Sequence, residues 1–383
     1  MRLIATPPLR RPGHGAGVHS LHNSPQRKRK CEWIPDRPDG RPGRRSNGGT
    51  AIRGCLTWWA VFSLVAIQVF LAPSLGPAHA QSRAPAVKVA VLKFGTVNWE
   101  LNTLTHHGLD SRHGFKLELE DMAGEPAAKI AFQGGTADIM VSDWIWVARQ
   151  RAAGKDYSFI PYSKSVGGLL VAGNSQAKTL GDLKGAKIGV GGGPLDKSWL
   201  LLRALSKKQF GFDLAFGAEP VFGAPPLIYK KAVQGEMAGA VNFWHFAAKM
   251  EAAGMRRLIS VADAAKALGL DPDTPLLGYV IKGELAHAKP ELIAGFAAAS
   301  REAKAILARD DAEWDRLRPI MNAANDAEFA ALKAGYREGI PSASPVDEDA
   351  ARRLLAVMAE LGGKDLVGGA ATLPDGVFYK VGS

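Results

Sequence analysis

Residues 179–205, TLGDLKGAKIGVGGGPLDKSWLLLRAL, decide how the chain is to be read. Residues 187–190 have the apolar character of a short buried strand, 191–193 are three glycines free in φ, and from Pro194 an apolar-periodic helix of about three turns is expected. A strand, a glycine turn and a helix start leave backbone N–H groups pointing at whatever sits above the strand end. Gly192 and Gly193 are therefore candidate contacts for a small polar or anionic ligand. Phosphate readings fail on residue identity. A P-loop requires glycine before its Lys-Ser pair, but Asp196 precedes Lys197 and Ser198 and would repel a triphosphate. The dinucleotide pattern fails as well, because Pro194 occupies the region of the third glycine.

Upstream, residues 1–54 are rich in Arg, Pro and Gly and lack apolar periodicity, so a disordered leader is expected. This segment holds twelve Lys and Arg against three acids, a net +9 of the chain's +11, so the basic character belongs to the leader. That removes the case for nucleic-acid binding by the remainder. Residues 56–71, LTWWAVFSLVAIQVFL, are slightly short for a membrane span and are followed by Ala78-His79-Ala80. The expectation is a signal peptide over 55–80, cleaved after Ala80, and a periplasmic protein. So long a basic lead is unusual and points to a translation start downstream of Met1. Both cysteines, Cys31 and Cys55, precede the cleavage point, so the 303 residues that follow hold no disulfide, thiolate metal site or cysteine nucleophile. No cofactor is expected. The one close histidine pair, His106 and His107, is adjacent in sequence and so splayed on a helix, which argues against a metal site.

From residue 87 short apolar strands alternate with amphipathic helices, as in VKVAVLKF, FKLELEDM and ADIMVS, and the pattern restarts at 179–205. This is the signature of an α/β architecture with mostly parallel sheets, and about 300 residues is enough for two lobes. Four helices follow Pro290 on a 3.6-residue period.

The segments FQGGTADIMVSD (132–143), GGLLVAGNSQAKTLGDLKGAKIGVGGG (167–193) and KAVQGEMAGAV (231–241), in this order, resemble the periplasmic substrate-binding proteins of ABC transporters, in the group that takes alkanesulfonates, nitrate and thiamine precursors. The resemblance spans about residues 87–361. It implies a type II periplasmic-binding-protein fold: a first lobe over 81–173, a second over 174–275, a return to the first over 276–383, and crossing strands near 171–174 and 276–280. It also implies a monomer that takes a small-molecule solute in the cleft and delivers it to a membrane permease with its ATPase. Related chains are enzymes of thiamine-precursor or menaquinone synthesis; the pyrimidine-forming ones rely on a cysteine-rich segment absent here. A periplasmic sensor component is a further alternative.

Ligands of open α/β sheets sit outside the carboxyl ends of strands, which singles out the turns 95–100, 142–146, 191–199 and 242–244. Each carries tryptophan: Trp99, Trp144, Trp146, Trp199 and Trp244, five of the six beyond residue 80. Trp99, Trp144 and Trp244 fall at helix starts and are expected to face the cleft; Trp146 and Trp199 lie deeper and fit a core role equally well. The polar residues of these turns are Thr96, Asn98, Glu100, Ser142, Asp143, Asp196 and Asn242. Ser142 and Asn242 read as helix caps. Glu100, Asp143 and Asp196 converging with aromatic faces would disfavour a bare anion and suit an aromatic, heterocyclic or zwitterionic solute, although sulfonate or nitrate remains compatible with the helix starts.

Overall fold

The computed structural model describes residues 84–380; the expected leader, the expected signal peptide with its cleavage site and both cysteines lie outside the described residues. The first half of the described chain alternates as read: β1 (Ala86–Leu92), α1 (Val97–His106), α2 (Leu109–Arg112), β2 (Lys116–Met122), α3 (Glu125–Gly134), β3 (Ile139–Asp143), α4 (Trp144–Ala152) and β4 (Tyr157–Ser163). A second set follows: β5 (Gly168–Val171), β6 (Lys187–Gly191), α5 (Lys197–Phe210), α6 (Leu214–Gly217), β7 (Glu219–Gly223), α7 (Pro225–Val233), β8 (Gly239–Asn242), α8 (Trp244–Ala252), β9 (Arg256–Ser260) and α9 (Val261–Leu268). The chain then runs through β10 (Leu277–Lys282), α10 (Gly283–Ala288), α11 (Pro290–Arg309), α12 (Asp311–Met321), α13 (Asp326–Glu338) and α14 (Glu348–Val367). No helix among the described residues is long and apolar enough to cross a membrane.

Two five-stranded sheets result, in the orders β2-β1-β3-β10-β4 and β7-β6-β8-β5-β9. Four strands of each run one way, as the mostly parallel reading requires, and one opposes them. The opposed strands are β10, antiparallel to β3 and β4, and β5, antiparallel to β8 and β9. The reason is how they arrive. Strands fed from helices of their own lobe run toward the junction, whereas β5 and β10 enter from the other lobe, start at the junction and run away from it.

That exchange moves one boundary. The sequence assigns residues up to 173 to the first lobe with a crossing at 171–174, but Gly168–Val171 is bonded to β8 and β9 in the second sheet. The chain therefore crosses at 164–167, and returns through 269–276 ahead of β10. A fully buried run such as GLLV announces a central strand without saying of which sheet. The crossings are tied together: Lys164 pairs with Asp273, and its backbone N–H donates to the Gly339 carbonyl at 2.9 Å. At Gly167 a Cβ would sit 1.8 Å from the Asn242 carbonyl oxygen, so the strand passes there only because it has no side chain.

Apolar packing also joins the lobes. Trp244 and Ala248 of α8 share a core with Trp99, Trp314 and Tyr336 of the first lobe. On the other flank Leu200 and Leu201 of α5 and Val261 of α9 pack with Trp144, Leu354 and Met358. Helices α13 and α14, the last two of the chain, thus serve as seats for the second lobe.

Candidate functional site

The four strand-to-helix turns singled out above meet in two pairs across the lobes. In the first, Trp99 after β1 stands edge-on to Trp244 after β8, with ring centroids 6.0 Å apart at 89°. The Trp244 ring rests on Gly335 of α13, where a Cβ would come within 2.9 Å of it. In the second pair, Asp143 at the end of β3 forms a 2.7 Å ion pair with Lys197 at the start of α5.

Around Asp143 the local reasons are clear. Asp143, not Ser142, caps α4, its Oδ1 accepting from the Trp146 N–H at 2.9 Å while Oδ2 faces Lys197. Burial alone would raise the Asp143 carboxyl, but the Lys197 ammonium and the Trp146 N–H outweigh it and hold it below the ordinary range. Burial works against the Lys197 charge as well, and Asp143, Glu125 and Asp196 overcome it, raising Lys197. Asp196 caps α5 through the Trp199 N–H at 3.0 Å, so the helix begins at Lys197 and not at Pro194. Burial pushes Asp196 up to about 6, only partly offset by that N–H and by Lys197. Glu125 completes the group, paired with Lys129 at 2.8 Å and accepting from the Ser142 hydroxyl at 3.3 Å. Gly192 and Gly193 hold φ of 103° and 120°, as a turn open only to glycine requires.

Trp99, Trp144 and Trp244 do not face an opening as expected, and Trp199 takes the core role that was open to it. Trp99, Trp144, Trp199 and Trp244 are 4%, 0%, 0% and 8% exposed, so none lines an opening. A ring of this size at a turn between two lobes gains more by packing than by waiting for a ligand. The aromatic side chains left bare at the strand ends are Phe94 and Phe222, each 40% exposed, joined by half-buried Phe243 beside Gly192. Trp146 is half-buried, stacked on Tyr157 at 5.8 Å with the Lys129 ammonium 5.3 Å from its ring.

Among the polar candidates, Glu100 points into the first lobe. Its carboxylate accepts from Tyr279, Ser300 and Tyr336 at 2.7, 2.6 and 3.1 Å and pairs with Lys304 at 2.8 Å. Asn242 is no cap either: Phe243 holds that position, and the Asn242 side chain bonds the Pro225 carbonyl at 2.9 Å and the Phe243 N–H at 2.9 Å. Thr96 starts α1 with its hydroxyl 3.3 Å from that of Tyr162. Asn98 folds its amide back onto the Leu92 carbonyl at 2.9 Å, leaving a buried Oδ1 without a protein partner among the described residues. Of the three expected acids the fold brings together Asp143 and Asp196, with Glu125 in the place expected of Glu100. Lys197 and Lys129 were missed; the signal available was the position of Lys197 immediately after the capping aspartate.

The histidine pair is less splayed than helical spacing suggests, because α1 ends at His106. Donor atoms of His106, His107 and Glu313 lie within 4.8 Å of one another. The carboxylate is nonetheless engaged, by Arg316 at 2.9 and 2.5 Å and by the Thr103 hydroxyl at 2.6 Å.

Asp196→Asn isolates the electrostatics of the group, since asparagine caps a helix as well as aspartate. A raised carboxyl binds its proton more tightly in the folded chain, so its contribution to stability falls as pH rises from about 4 to about 6. The variant escapes that loss. Its melting temperature should match the parent's near pH 4 and exceed it at pH 7 by about 3–5 °C, equivalent to about 2–3 kcal/mol, in thermal scans across pH.

Sheet order, exchanged strands and facing turns define the two-lobed fold of the periplasmic binding proteins. Solved structures agree. The periplasmic aliphatic sulphonate binding protein SsuA from Escherichia coli is 22% identical, with a TM-score of 0.61 over 77% of this chain and 92% of that one. The alkanesulfonate-binding protein SsuA from Xanthomonas axonopodis pv. citri, bound to MOPS, is 18% identical, with a TM-score of 0.56 over 78% and 97%. A ligand-binding component of an ABC-type import system from Staphylococcus aureus, with zinc bound, is 14% identical, with a TM-score of 0.58 over 78% and 99%. No protein-family model matches the chain, and no curated protein matches it in sequence.

Proposed function

We propose that this chain is the solute-binding component of an ABC importer: a periplasmic monomer that captures a small organic solute between its lobes and delivers it to a membrane permease with its ATPase, without catalysing a reaction. The observation that carries this reading is the meeting of four strand-to-helix turns in two pairs across the lobes, at the place where open α/β sheets take ligands. Exposed Phe94 and Phe222 favour a solute with an aromatic or heterocyclic body, and the similarity to sulphonate-binding proteins favours one with an anionic group.

The full chain, exported through its own leader and purified from the periplasm without refolding, should carry an added mass of a few hundred daltons or less in native mass spectrometry. Bare protein that also gives no fluorescence change with aromatic, quaternary-amine and sulfonate panels would overturn the proposal.

A further inference from the structure

Resting on the solute-binding reading above, the charges at the second cross-lobe contact narrow the class of solute. The Asp143 side chain is 6% exposed and that of Lys197 26%, and each has the other as its ion-pair partner. A solute that enters between the lobes has to part them. A simple anion taken by Lys197 would leave the Asp143 carboxylate buried beside it, with the Trp146 N–H and the weaker pull of the Lys129 ammonium in place of its ion pair. Stripping a buried charge of its partner is strongly unfavourable. A simple cation taken by Asp143 would leave Lys197 without its nearest acid. A neutral apolar solute would strand both.

A molecule bearing both charges leaves neither group alone. Its cationic group replaces the Lys197 ammonium on Asp143 Oδ2, the oxygen not used for capping, and its anionic group replaces the Asp143 carboxylate on Lys197. The start of α5, with its partial positive charge, supports the anionic end. Asp196 and Glu125, which act on Lys197 together with Asp143, give the group three acids against two lysines and support the cationic end. We propose that the solute is a zwitterion seated between Asp143 and Lys197, and that this pair sets the specificity by exchanging its mutual ion pair for two pairs to the ligand.

The test uses the full chain and a matched aromatic trio, phenylalanine, 3-phenylpropionate and phenethylamine, titrated by intrinsic fluorescence, together with the solute carried from the periplasm. The zwitterion should bind at least about tenfold tighter than either singly charged analogue, and the carried solute should contain both an acidic and a basic group. Lys197→Met should weaken the zwitterion and the anion but not the cation, and Asp143→Asn, which keeps the helix cap, should weaken the zwitterion and the cation but not the anion. An effect on folding alone would move all three together. An anion or cation bound as tightly as the zwitterion, or a carried solute of one sign, overturns this inference and leaves the solute-binding reading standing. If no trio member binds, the charges of the carried solute decide. Absence of any bound or carried solute sinks the solute-binding reading itself, and this inference with it.

Discussion

Replacing Lys304 by methionine should destabilise the protein by about 3–5 kcal/mol, read from urea denaturation followed by tryptophan fluorescence. Lys304 is 6% exposed, and its ammonium lies 2.8 Å from Glu100, which has no solvent exposure. It also donates to the Ser300 hydroxyl at 2.7 Å and sits 5.2 Å from the Tyr162 ring and 5.7 Å from the Tyr279 ring. Burial pulls Lys304 below its ordinary pKa although Glu100 opposes the shift, so the environment tolerates this charge only because the carboxylate is there. Methionine fits the same space and leaves Glu100 with three hydroxyl donors and no counter-charge. A Glu100→Gln/Lys304→Met double variant should recover most of the loss, because the hydroxyl network then surrounds a neutral amide. Equal destabilisation of the single and double variants would mean that Lys304 contributes through packing and not through its charge.

The same carboxylate shows where the sequence stops being readable. Glu100 follows Trp99 at a helix start, just as Asp143 ends a strand before Trp144, and local pattern gives the two acids one role. What separates them is distant: the hydroxyls and the ammonium around Glu100 come from Tyr279, Ser300, Lys304 and Tyr336, about 180 to 240 residues along the chain. Local chemistry, by contrast, was legible. The strand over Lys187–Gly191, the left-handed glycines after it and the apolar helix that follows were all set by neighbouring residues, with the helix start displaced to Lys197 by the Asp196 cap. Alternation of strand and helix gave the α/β class and two lobes. Strand exchange was only half visible, because burial of residues 168–171 is the same in either sheet. Helix α9 is not singled out in the sequence reading although Val261, Ala264, Ala265 and Leu268 fall on one face, because that stripe is only eight residues long and half of it is alanine. Lys197 was quoted as part of a phosphate motif that failed, and its actual partner, Asp143, lies on the other lobe.

Truncating Trp144 and truncating Trp244 should have opposite signatures, although the sequence places both at cleft-facing helix starts. Trp144 has no exposed surface, packs at 5.7 Å against the Phe378 ring and belongs to the core under α14. Trp144→Ala leaves a cavity that rigid neighbours cannot fill and should lower stability by about 3–5 kcal/mol. Its indole N–H has no partner among the described residues, so Trp144→Phe forfeits no hydrogen bond and should retain most of that stability. Solute affinity of the folded fraction should be unchanged in both. Trp244 is held differently, between Trp99 of the first lobe and Gly335 of α13, and is one of two direct joints between the turns of the two lobes. Without that ring the lobes can settle closer or at another angle, which relieves part of the void and misplaces Asp143 relative to Lys197. Trp244→Ala should therefore lose at least about tenfold in solute affinity, about 1.4 kcal/mol, with a smaller loss of stability than Trp144→Ala. Thermal melts and solute titrations on the three variants separate the outcomes. Retained affinity in Trp244→Ala would show that the joint is mere packing and that the remaining cross-lobe contacts, the Asp143–Lys197 pair and the seam of α5 and α9 against α14, hold the relation of the lobes without it.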